Sequence, residues 1–277
     1  MSQVFLNGNW LPLEQAQVSV LDRGFIFGDG VYEVIPVYRQ KPLALEDHLA
    51  RLDRSLAGIE MHSPFSHEEW SSIIQHACAL EGSPQQSVYI QITRGVAPRD
   101  HAFPAGVSPT VFVMAKPMAP PPKSWLQEGV FAITQKDFRW DCCHLKTTAL
   151  LANVLLRQQA VKQGAVESVL LLDGYLTEGA ASNILVISQG QVLTPPRDHH
   201  ILTGITLSLI LHWCTKEEIS WIEGPISEQA LRAADELLMT SSTREIVPIV
   251  RLDDALIGTG TPGPLFARLL NGYQSYK

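Results

Sequence analysis

The sequence has few of the features that mark secreted, membrane-bound or nucleic-acid-binding proteins. Its four cysteines include the adjacent pair Cys142–Cys143 and form no CxxC spacing, which argues against a disulfide framework or a zinc site. No two basic residues are adjacent and the net charge is −7, so no basic patch for nucleic acid is predicted. No apolar run approaches the roughly 18 residues of a membrane helix, and the first residues carry no signal-peptide pattern. We therefore expect a protein of a reducing cytoplasm, without membrane or nucleic-acid partners.

Common catalytic and metal-binding motifs are also missing. The chain contains no Walker A, HExxH or GxSxG sequence. We identify no third ligand near the pair His199–His200, so we predict a surface pair and no metal site. Any chemistry must come from residues that these motifs do not describe.

A proline-rich segment divides the sequence. Residues 116–124 read KPMAPPPKS, and their four prolines resist both helix and sheet and stiffen the chain. We expect an N-terminal domain over residues 1–116, a linker over 117–123 and a larger C-terminal domain over 124–277.

Both domains mix strand-like and helix-like patterns, which predicts a mixed α+β fold. Alternating apolar residues predict a pair of strands at Ser87–Thr93 and Thr110–Ala115, and a short strand at Val18–Leu21. The strand patterns Glu167–Leu172 and Ile184–Ile187 flank an Asp-Gly dipeptide, which is a strong hairpin signal. A helix is predicted near Glu46, and its apolar face consists of Leu49, Leu52, Leu56 and Ile59.

Lys146 stands just before a long helical pattern that runs from Ala149 to Lys162. The apolar face predicted for that helix consists of Leu150, Leu151, Val154, Leu155 and Val161. A cation at the first turn of a helix is disfavoured, and burial would lower the pKa of a lysine. A lysine so placed is a candidate for amine chemistry, above all a Schiff base. The alternative is a loop lysine that reaches water.

Two segments rich in hydroxyl groups could bind an anion. Gly204–Thr206 leads into an apolar helix, and the free N–H groups at such a helix start attract phosphate. Thr240–Thr243 closes a strand with four consecutive hydroxyl residues. A simple helix cap and a polar turn explain the two segments equally well. Arg51 lies off the Leu49 face of its helix and, taken alone, would be a solvated arginine.

The loop Arg94–Pro104 could bind a carboxylate. Arg99 and His101 alternate, so both point to the same side of an extended segment. An arginine beside an imidazole suits a carboxylate, although a solvated loop is the simpler interpretation. Glu178 lies between two strand patterns, and a surface acid is the simpler interpretation of it.

Taken together, these residues resemble the class IV aminotransferases, the pyridoxal-phosphate enzymes of fold type IV. The loop Arg94–Pro104 narrows the resemblance to the D-amino-acid branch of that family. The resemblance implies two domains, a smaller N-terminal α/β domain and a larger C-terminal domain with a barrel-like mixed sheet. The segments that carry it are Asp22–Gly24, Phe27–Glu33, His48–Leu52, the Lys146 segment, Glu178–Asn183, Gly204–Thr206 and Thr240–Glu245.

The resemblance also implies a role for each candidate residue. Lys146 would be the Schiff-base lysine for pyridoxal 5′-phosphate, and Glu178 would face the pyridine nitrogen. Leu202 would pack near the cofactor ring. The phosphate contacts would be Arg51, Ile205, Thr206 and Ser242, and the contacts to the substrate α-carboxylate would be Tyr32, Arg99 and His101.

The implied reaction is transfer of the amino group of D-alanine to 2-oxoglutarate, which yields pyruvate and D-glutamate by ping-pong kinetics. The family's carboxylate-binding loop comes from the neighbouring subunit, which implies a homodimer. Ala180–Ala181 stands where related enzymes often carry serines, and this difference could alter substrate preference. A branched-chain L-amino-acid aminotransferase and a 4-amino-4-deoxychorismate lyase, which share the fold, are the alternatives.

Overall fold

The computed structural model describes residues 3–277. Contacts between Cα atoms divide the chain into two units. The first unit runs up to Ala119 and also takes in Leu145–Leu150, whereas the second comprises Pro120–His144 and Leu151–Lys277. The segment that carries Lys146 therefore packs with the first unit, although it lies beyond the proline-rich segment in sequence.

The first unit is an antiparallel sheet with two long helices. Its elements are β1 (Gln3–Leu6), β2 (Asn9–Pro12), α1 (Arg23–Phe27), β3 (Gly30–Tyr38), β4 (Lys41–Pro42), α2 (Leu45–Gly58), α3 (His67–Glu81), β5 (Gln85–Thr93) and β6 (Thr110–Pro117). The six strands lie in the order β2-β1-β6-β5-β3-β4. Strand β5 pairs along its length with β3 on one side and β6 on the other, which confirms the predicted strand pair.

The core of the first unit lies between this sheet and the two helices. Alternate residues of β3, β5 and β6 point inward, as the period of a strand requires. They pack against Trp70 of α3 and against Leu49, Leu52 and Leu56 of α2, all fully buried. The predicted apolar face of α2 is therefore confirmed for the three leucines, whereas Ile59 lies just past the end of the helix and is partly buried. The strand predicted at Val18–Leu21 is wrong, because this stretch forms no strand and its apolar side chains are exposed.

The second unit contains a mixed sheet and five helices among its described elements. These are α4 (Lys123–Glu128), β7 (Val130–Lys136), α5 (Leu151–Lys162), β8 (Glu167–Leu172), β9 (Tyr175–Gly179), β10 (Asn183–Ser188), β11 (Gln191–Thr194), α6 (Ile205–Lys216), β12 (Trp221–Glu223), α7 (Glu228–Arg232), β13 (Glu236–Ser241), β14 (Glu245–Leu252), β15 (Ala255–Leu256) and α8 (Pro264–Gln274). The strand order is β12-β11-β10-β13-β14-β7-β8-β9, and β15 pairs with β14. Strand β7 runs parallel to both its neighbours, and most other pairs are antiparallel. This curled mixed sheet confirms the expected mixed α/β class.

The hairpin after β8 differs from the prediction in its second strand. Asp173 and Gly174 form the turn with φ angles of 50° and 82°, as the dipeptide predicted. The strand across the turn is Tyr175–Gly179, however, and Ile184–Ile187 belongs to β10, which pairs with β13 and β11. Strand β9 has little apolar alternation, so the sequence pattern did not predict a strand there. It carries Glu178.

Helix α5 also departs from its sequence pattern. It begins at Leu151 rather than Ala149, so Lys146 does not lie in its first turn. The buried residues of α5 are Leu156 and Ala160. The predicted apolar face is turned to solvent instead, because Leu151, Val154, Leu155 and Val161 are 73, 59, 49 and 49% exposed. Within residues 3–277, no helix has both the length and the apolar character needed to span a bilayer.

Candidate active site

The Lys146 segment is an extended stretch that runs beside the start of β3. Thr147 forms an antiparallel bridge with Val31, and the carbonyl oxygen of Lys146 accepts a hydrogen bond from the Tyr32 N–H at 2.9 Å. The Lys146 N–H donates to Ser55 Oγ on α2 at 3.1 Å. These contacts fix the backbone on both sides of the lysine. The proposed effect of a helix N-terminus on Lys146 is therefore wrong, since sheet-like pairing holds the residue.

The lysine side chain is half-buried and lies over an aromatic ring. Lys146 Nζ is 4.2 Å from the centroid of the Tyr32 ring, close enough for a cation–π interaction when the amine is charged. The Tyr32 ring is 5.8 Å from the Tyr89 ring. The structure thus brings together Lys146 and Tyr32, two residues that the sequence analysis assigned to separate roles.

Arg51 is buried rather than solvated, because a carboxylate of β3 binds it. Its guanidinium donates to Glu33 through Nε at 2.7 Å and Nη2 at 2.9 Å. His48 Nδ1 lies 2.8 Å from the same carboxylate, and Glu33 has no exposed surface. Burial raises the pKa of Glu33, but Arg51 and His48 outweigh it and hold that pKa well below its usual range. Burial lowers the pKa of His48, against the hydrogen bond to Glu33.

Arg99 and His101 lie on the exposed loop between β5 and β6. Both pack on Phe27 of α1: Arg99 Cζ is 5.3 Å from the centroid of the Phe27 ring, and the His101 ring is 5.2 Å from it. The two side chains therefore share one patch, as their alternation predicted.

In the second unit, Glu178 is the centre of a buried polar network. Its Oε1 accepts a hydrogen bond from Arg139 Nη1 at 2.6 Å. Its Oε2 accepts from Asn183 Nδ2 at 3.1 Å and from the Leu202 N–H at 3.2 Å. Arg139 also donates to Asp137 at 2.7 Å. Glu178 is thus no surface acid, but a carboxylate fixed by donors on three sides.

The charges in this network oppose the effect of burial. Burial raises the pKa of Glu178 to about 7, although Arg139 favours the ionised carboxylate. For Asp137, burial also raises the pKa, but the hydrogen bond from Arg139 and its charge outweigh burial and bring the pKa below its usual range. A carboxyl whose pKa lies near neutrality can exchange a proton with a basic partner at physiological pH.

The N-terminus of α6 is suited to an anion. No described side chain caps this helix, whose N-cap is Gly204, and Thr206 is buried in its first turn. A Cβ at Gly204 would lie 2.1 Å from Asn183 Oδ1, so a larger residue there would displace the Asn183 side chain. Asn183 Nδ2 also donates to the Leu202 carbonyl at 2.7 Å. One amide side chain therefore ties Glu178 to the loop that leads into α6.

The second hydroxyl-rich segment is the tight turn between β13 and β14. Ser241 ends β13, and its Oγ accepts a hydrogen bond from the Arg244 N–H at 3.2 Å. Ser242 follows in the turn and is partly exposed. The phosphate contact that the resemblance implies for Ser242 stays a prediction.

The pair His199–His200 has a neighbour that the sequence analysis missed. Candidate ligand atoms of Asp198, His199 and His200 all lie within 4.8 Å of one another, so a third group does lie nearby. Asp198 and His199 are exposed, and His200 Nδ1 is already 3.2 Å from the Asp198 carboxylate. The cluster is a surface feature, as expected of the pair.

Sequence reasoning also missed Arg139, Glu33 and Asn183. Asp137 and Arg139 are separated by one residue just after β7, a spacing that could have suggested a shared side of an extended segment. Glu33 carried no signal, because its partners are 15 and 18 residues further along the chain.

Comparison with known proteins shows the family of the chain and agrees with its fold. The family described as "Amino-transferase class IV" matches residues 30–252. The D-alanine aminotransferase of Bacillus licheniformis is 37% identical over 273 residues, which cover 99% of this chain and 96% of that protein. The D-alanine aminotransferase of Staphylococcus haemolyticus is 36% identical over 277 residues, with 100 and 98% covered.

Solved structures of branched-chain amino acid aminotransferases share the fold. The Escherichia coli enzyme superposes with a TM-score of 0.93 at 24% identity, covering 99% of this chain and 94% of that one. A second such enzyme, solved with pyridoxamine 5′-phosphate, gives a TM-score of 0.93 at 25% identity, covering 99 and 93%.

The fold and the matched residues define an aminotransferase. The chain belongs to the amino-transferase class IV family.

Proposed function

We propose that the protein transaminates D-amino acids, with D-alanine as donor and 2-oxoglutarate as acceptor. One observation carries the proposal: relatives named D-alanine aminotransferases are 35–37% identical along essentially the whole chain. The loop with Arg99 and His101 supports it, because an arginine beside an imidazole suits the α-carboxylate that such substrates share.

The cofactor we propose is pyridoxal 5′-phosphate. The chain offers each kind of group that it needs: an amine at Lys146, a buried carboxylate at Glu178, and an uncapped helix start with a hydroxyl at Thr206. When bound, the cofactor supplies an electron-withdrawing ring that stabilises negative charge at the substrate Cα. The side chains that hold the cofactor would fix the position of its ring relative to the substrate Cα.

Lys146 would supply the amine that holds the cofactor and would then act as the proton carrier. Once its amine is free, Lys146 Nζ would accept the proton from the substrate Cα and would then be the acid that gives it back. The backbone contacts to Tyr32 and Ser55 fix the position of residue 146, and a fixed amine would act on one face of the substrate. The reaction occurs in two halves, which predicts ping-pong kinetics.

Glu178 would hold a proton at the pyridine nitrogen. Its two oxygens already accept hydrogen bonds from Arg139, Asn183 and the Leu202 N–H. A carboxylate has about four lone-pair positions, so one more donor can be accommodated. Leu202 would place an aliphatic side chain beside the ring.

Four residues would bind the phosphate. The N–H groups at the start of α6, including that of Ile205, and the Thr206 hydroxyl suit an anion. Ser242 would add a hydroxyl, and Arg51 a positive charge. Arg51 is fixed in place by its two hydrogen bonds to Glu33, and its positive charge would attract a phosphate nearby.

Tyr32, Arg99 and His101 would fix the α-carboxylate and so select the D-enantiomer. A carboxylate held in one place leaves only one enantiomer with its Cα–H bond directed at Lys146. Arg99→Ala should therefore raise the KM for D-alanine and reduce the preference for D- over L-alanine, whereas the absorbance of the bound cofactor should stay unchanged.

We also propose that the protein is a homodimer. Each unit exposes apolar side chains that water would be expected to disfavour: Val20 and Phe25 in the first are 70 and 72% exposed, and Leu151 in the second is 73% exposed. Burial of such residues against a second copy would remove them from water. Light scattering of the purified protein measures the mass and tests this directly. A reducing cytoplasm stays a prediction.

Turnover of three donors separates the candidate functions. The protein is incubated with D-alanine or L-leucine plus 2-oxoglutarate, or with aminodeoxychorismate alone, and the products are measured. We expect pyruvate and D-glutamate from the first mixture. The branched-chain alternative has the solved structures of TM-score 0.93 in its favour. Preferential turnover of L-leucine would contradict our proposal and favour the branched-chain aminotransferase. Release of pyruvate from aminodeoxychorismate would indicate the lyase.

A further inference from the structure

A partly buried carboxylate, that of Asp29, is linked to the loop that carries Arg99 and His101 through two arginines. Asp29 Oδ2 accepts hydrogen bonds from Arg23 Nε at 2.7 Å and from Arg94 Nε at 2.8 Å. The side chains of Asp29, Arg23 and Arg94 are 13, 4 and 10% exposed. Burial raises the pKa of Asp29, but the hydrogen bonds from Arg94 and Arg23 outweigh it and lower that pKa. Asp29 is therefore an anion that separates two cations.

The first of these cations holds the loop by its backbone. The Arg23 guanidinium donates to the carbonyl oxygens of three consecutive loop residues, 100–102. His101 is the middle one. Because three carbonyl groups converge on one planar guanidinium, the path of the loop depends on where that guanidinium lies.

The second cation joins the loop to the end of α2. Arg94 Cζ is 3.7 Å from the centroid of the Phe103 ring, and Arg94 Nη2 donates to the Ile59 carbonyl at 2.6 Å. A guanidinium stacked on a ring in this way resists displacement. The loop is thus attached to the helix on one side and to Arg23 on the other, with Asp29 between the two arginines.

We infer that Asp29 is a positioning residue for substrate recognition: through Arg23 and Arg94 it sets the place of Arg99 and His101. This inference rests on the proposed role of those two residues in binding the substrate α-carboxylate. Asp29 itself does not touch the substrate. Removal of its charge leaves two neighbouring guanidinium groups in mutual repulsion in a largely buried place. The two guanidinium groups then lose the anion that fixes them, so the donors to residues 100–102 shift, although the contacts of Arg99 and His101 with Phe27 remain.

The test compares Asp29→Asn with Asp253→Asn in the cofactor-loaded protein. Asp253 is a matched control, because its carboxylate also binds an arginine, Arg232, at 2.9 Å, but it lies in the second unit and holds no part of the loop. The measurements are KM and kcat for D-alanine, the inhibition constant of propionate, and the absorbance of the bound cofactor. Propionate carries a carboxylate but no amine, so it reports on carboxylate binding alone.

For Asp29→Asn we expect KM and the propionate inhibition constant to rise about tenfold or more, as for loss of one hydrogen bond to a charged group. The kcat value and the absorbance should change less than about threefold, and Asp29→Glu should recover part of the affinity. Asp253→Asn should leave both affinities unchanged.

If Asp29→Asn does not fold, Arg23→Lys is used instead. It keeps the charge beside Asp29, loses the fork of donors to residues 100–102, and should raise both constants in the same way.

Two results would overturn the inference. One is unchanged affinity for D-alanine and propionate in the Asp29→Asn or Arg23→Lys protein while Arg99→Ala weakens both. The other is an equal loss of cofactor absorbance and kcat, which would indicate a purely structural role. If the proposed D-amino-acid transamination itself is wrong, the wild-type protein does not turn over D-alanine, so that outcome is distinguishable from a failure of the inference about Asp29.

Discussion

Arg139→Leu is expected to destabilise the second unit strongly. The Arg139 guanidinium donates to Asp137 at 2.7 Å and to Glu178 at 2.6 Å, and none of the three side chains is more than 7% exposed. Leucine would leave two carboxyl groups buried without their cation. Loss of one partner from a buried ion pair costs about 3–5 kcal/mol. The free energy of unfolding should fall by about this amount at neutral pH.

The penalty should also grow with pH. The pKa of folded Glu178 is about 7, against 4.5 for an ordinary glutamate, because burial raises it more than Arg139 lowers it. Between these values the folded state binds more protons than the unfolded state, so stability falls as pH rises. Without Arg139 the folded pKa is higher still, and the fall continues above pH 7. Each further unit of pKa adds about 1.4 kcal/mol.

Urea unfolding of the cofactor-free protein at pH 5.5 and pH 8.5 measures both effects. At pH 5.5 folded Glu178 is protonated with or without Arg139, so the penalty should be smaller than at pH 8.5. Arg232→Leu is the matched control: Arg232 also binds two carboxylates, Glu228 and Asp253, but is 36% exposed. Its loss should cost about 0–1 kcal/mol at both pH values. Equal penalties for the two variants, or no change with pH, would refute the reasoning.

Three further variants test the placement of the lysine segment and the apolar surface. Ser55→Ala removes the buried hydroxyl that accepts a hydrogen bond from the Lys146 N–H, and it should lower the free energy of unfolding in urea by about 1–3 kcal/mol. The control Ser72→Ala changes an exposed serine and should cost under about 0.5 kcal/mol. Gly30→Ala would place a Cβ 2.6 Å from a carbonyl oxygen of β5 and should cost about 1–3 kcal/mol, whereas Gly224, with open space around it, should accept alanine without loss. Leu151→Glu should yield a folded monomer by light scattering and circular dichroism, and an unchanged dimer would place the interface elsewhere.

Patterns within one element were predicted well. The spacing of Leu49, Leu52 and Leu56 predicted both the helix α2 and the side that is buried, because one helix face against one sheet leaves little choice. The Asp173–Gly174 turn was predicted because its backbone conformation favours those residues.

Burial that depends on contacts with a distant element of the chain was predicted poorly. Helix α5 shows the right spacing of apolar residues, but the sheet packs against Leu156 and Ala160 and leaves Leu151 and Val154 in water. Arg51 was expected to be solvated, and it is buried because Glu33 of β3 meets it. Neither partner can be read from the neighbouring residues.

Lys146 shows most clearly which features the sequence determined and which depended on the tertiary structure. Residue types, order and spacing were enough to indicate the family and to select Lys146, Glu178 and the loop with Arg99 and His101, because these are local features of the chain. What surrounds each of them was decided by contacts between residues far apart in sequence. Sheet-like pairing with β3 holds Lys146, where a helix end was expected. Arg139 binds Glu178 from 39 residues away. Charge and hydrogen bonding act through space, so the environment of a reactive group exists only once the chain has folded.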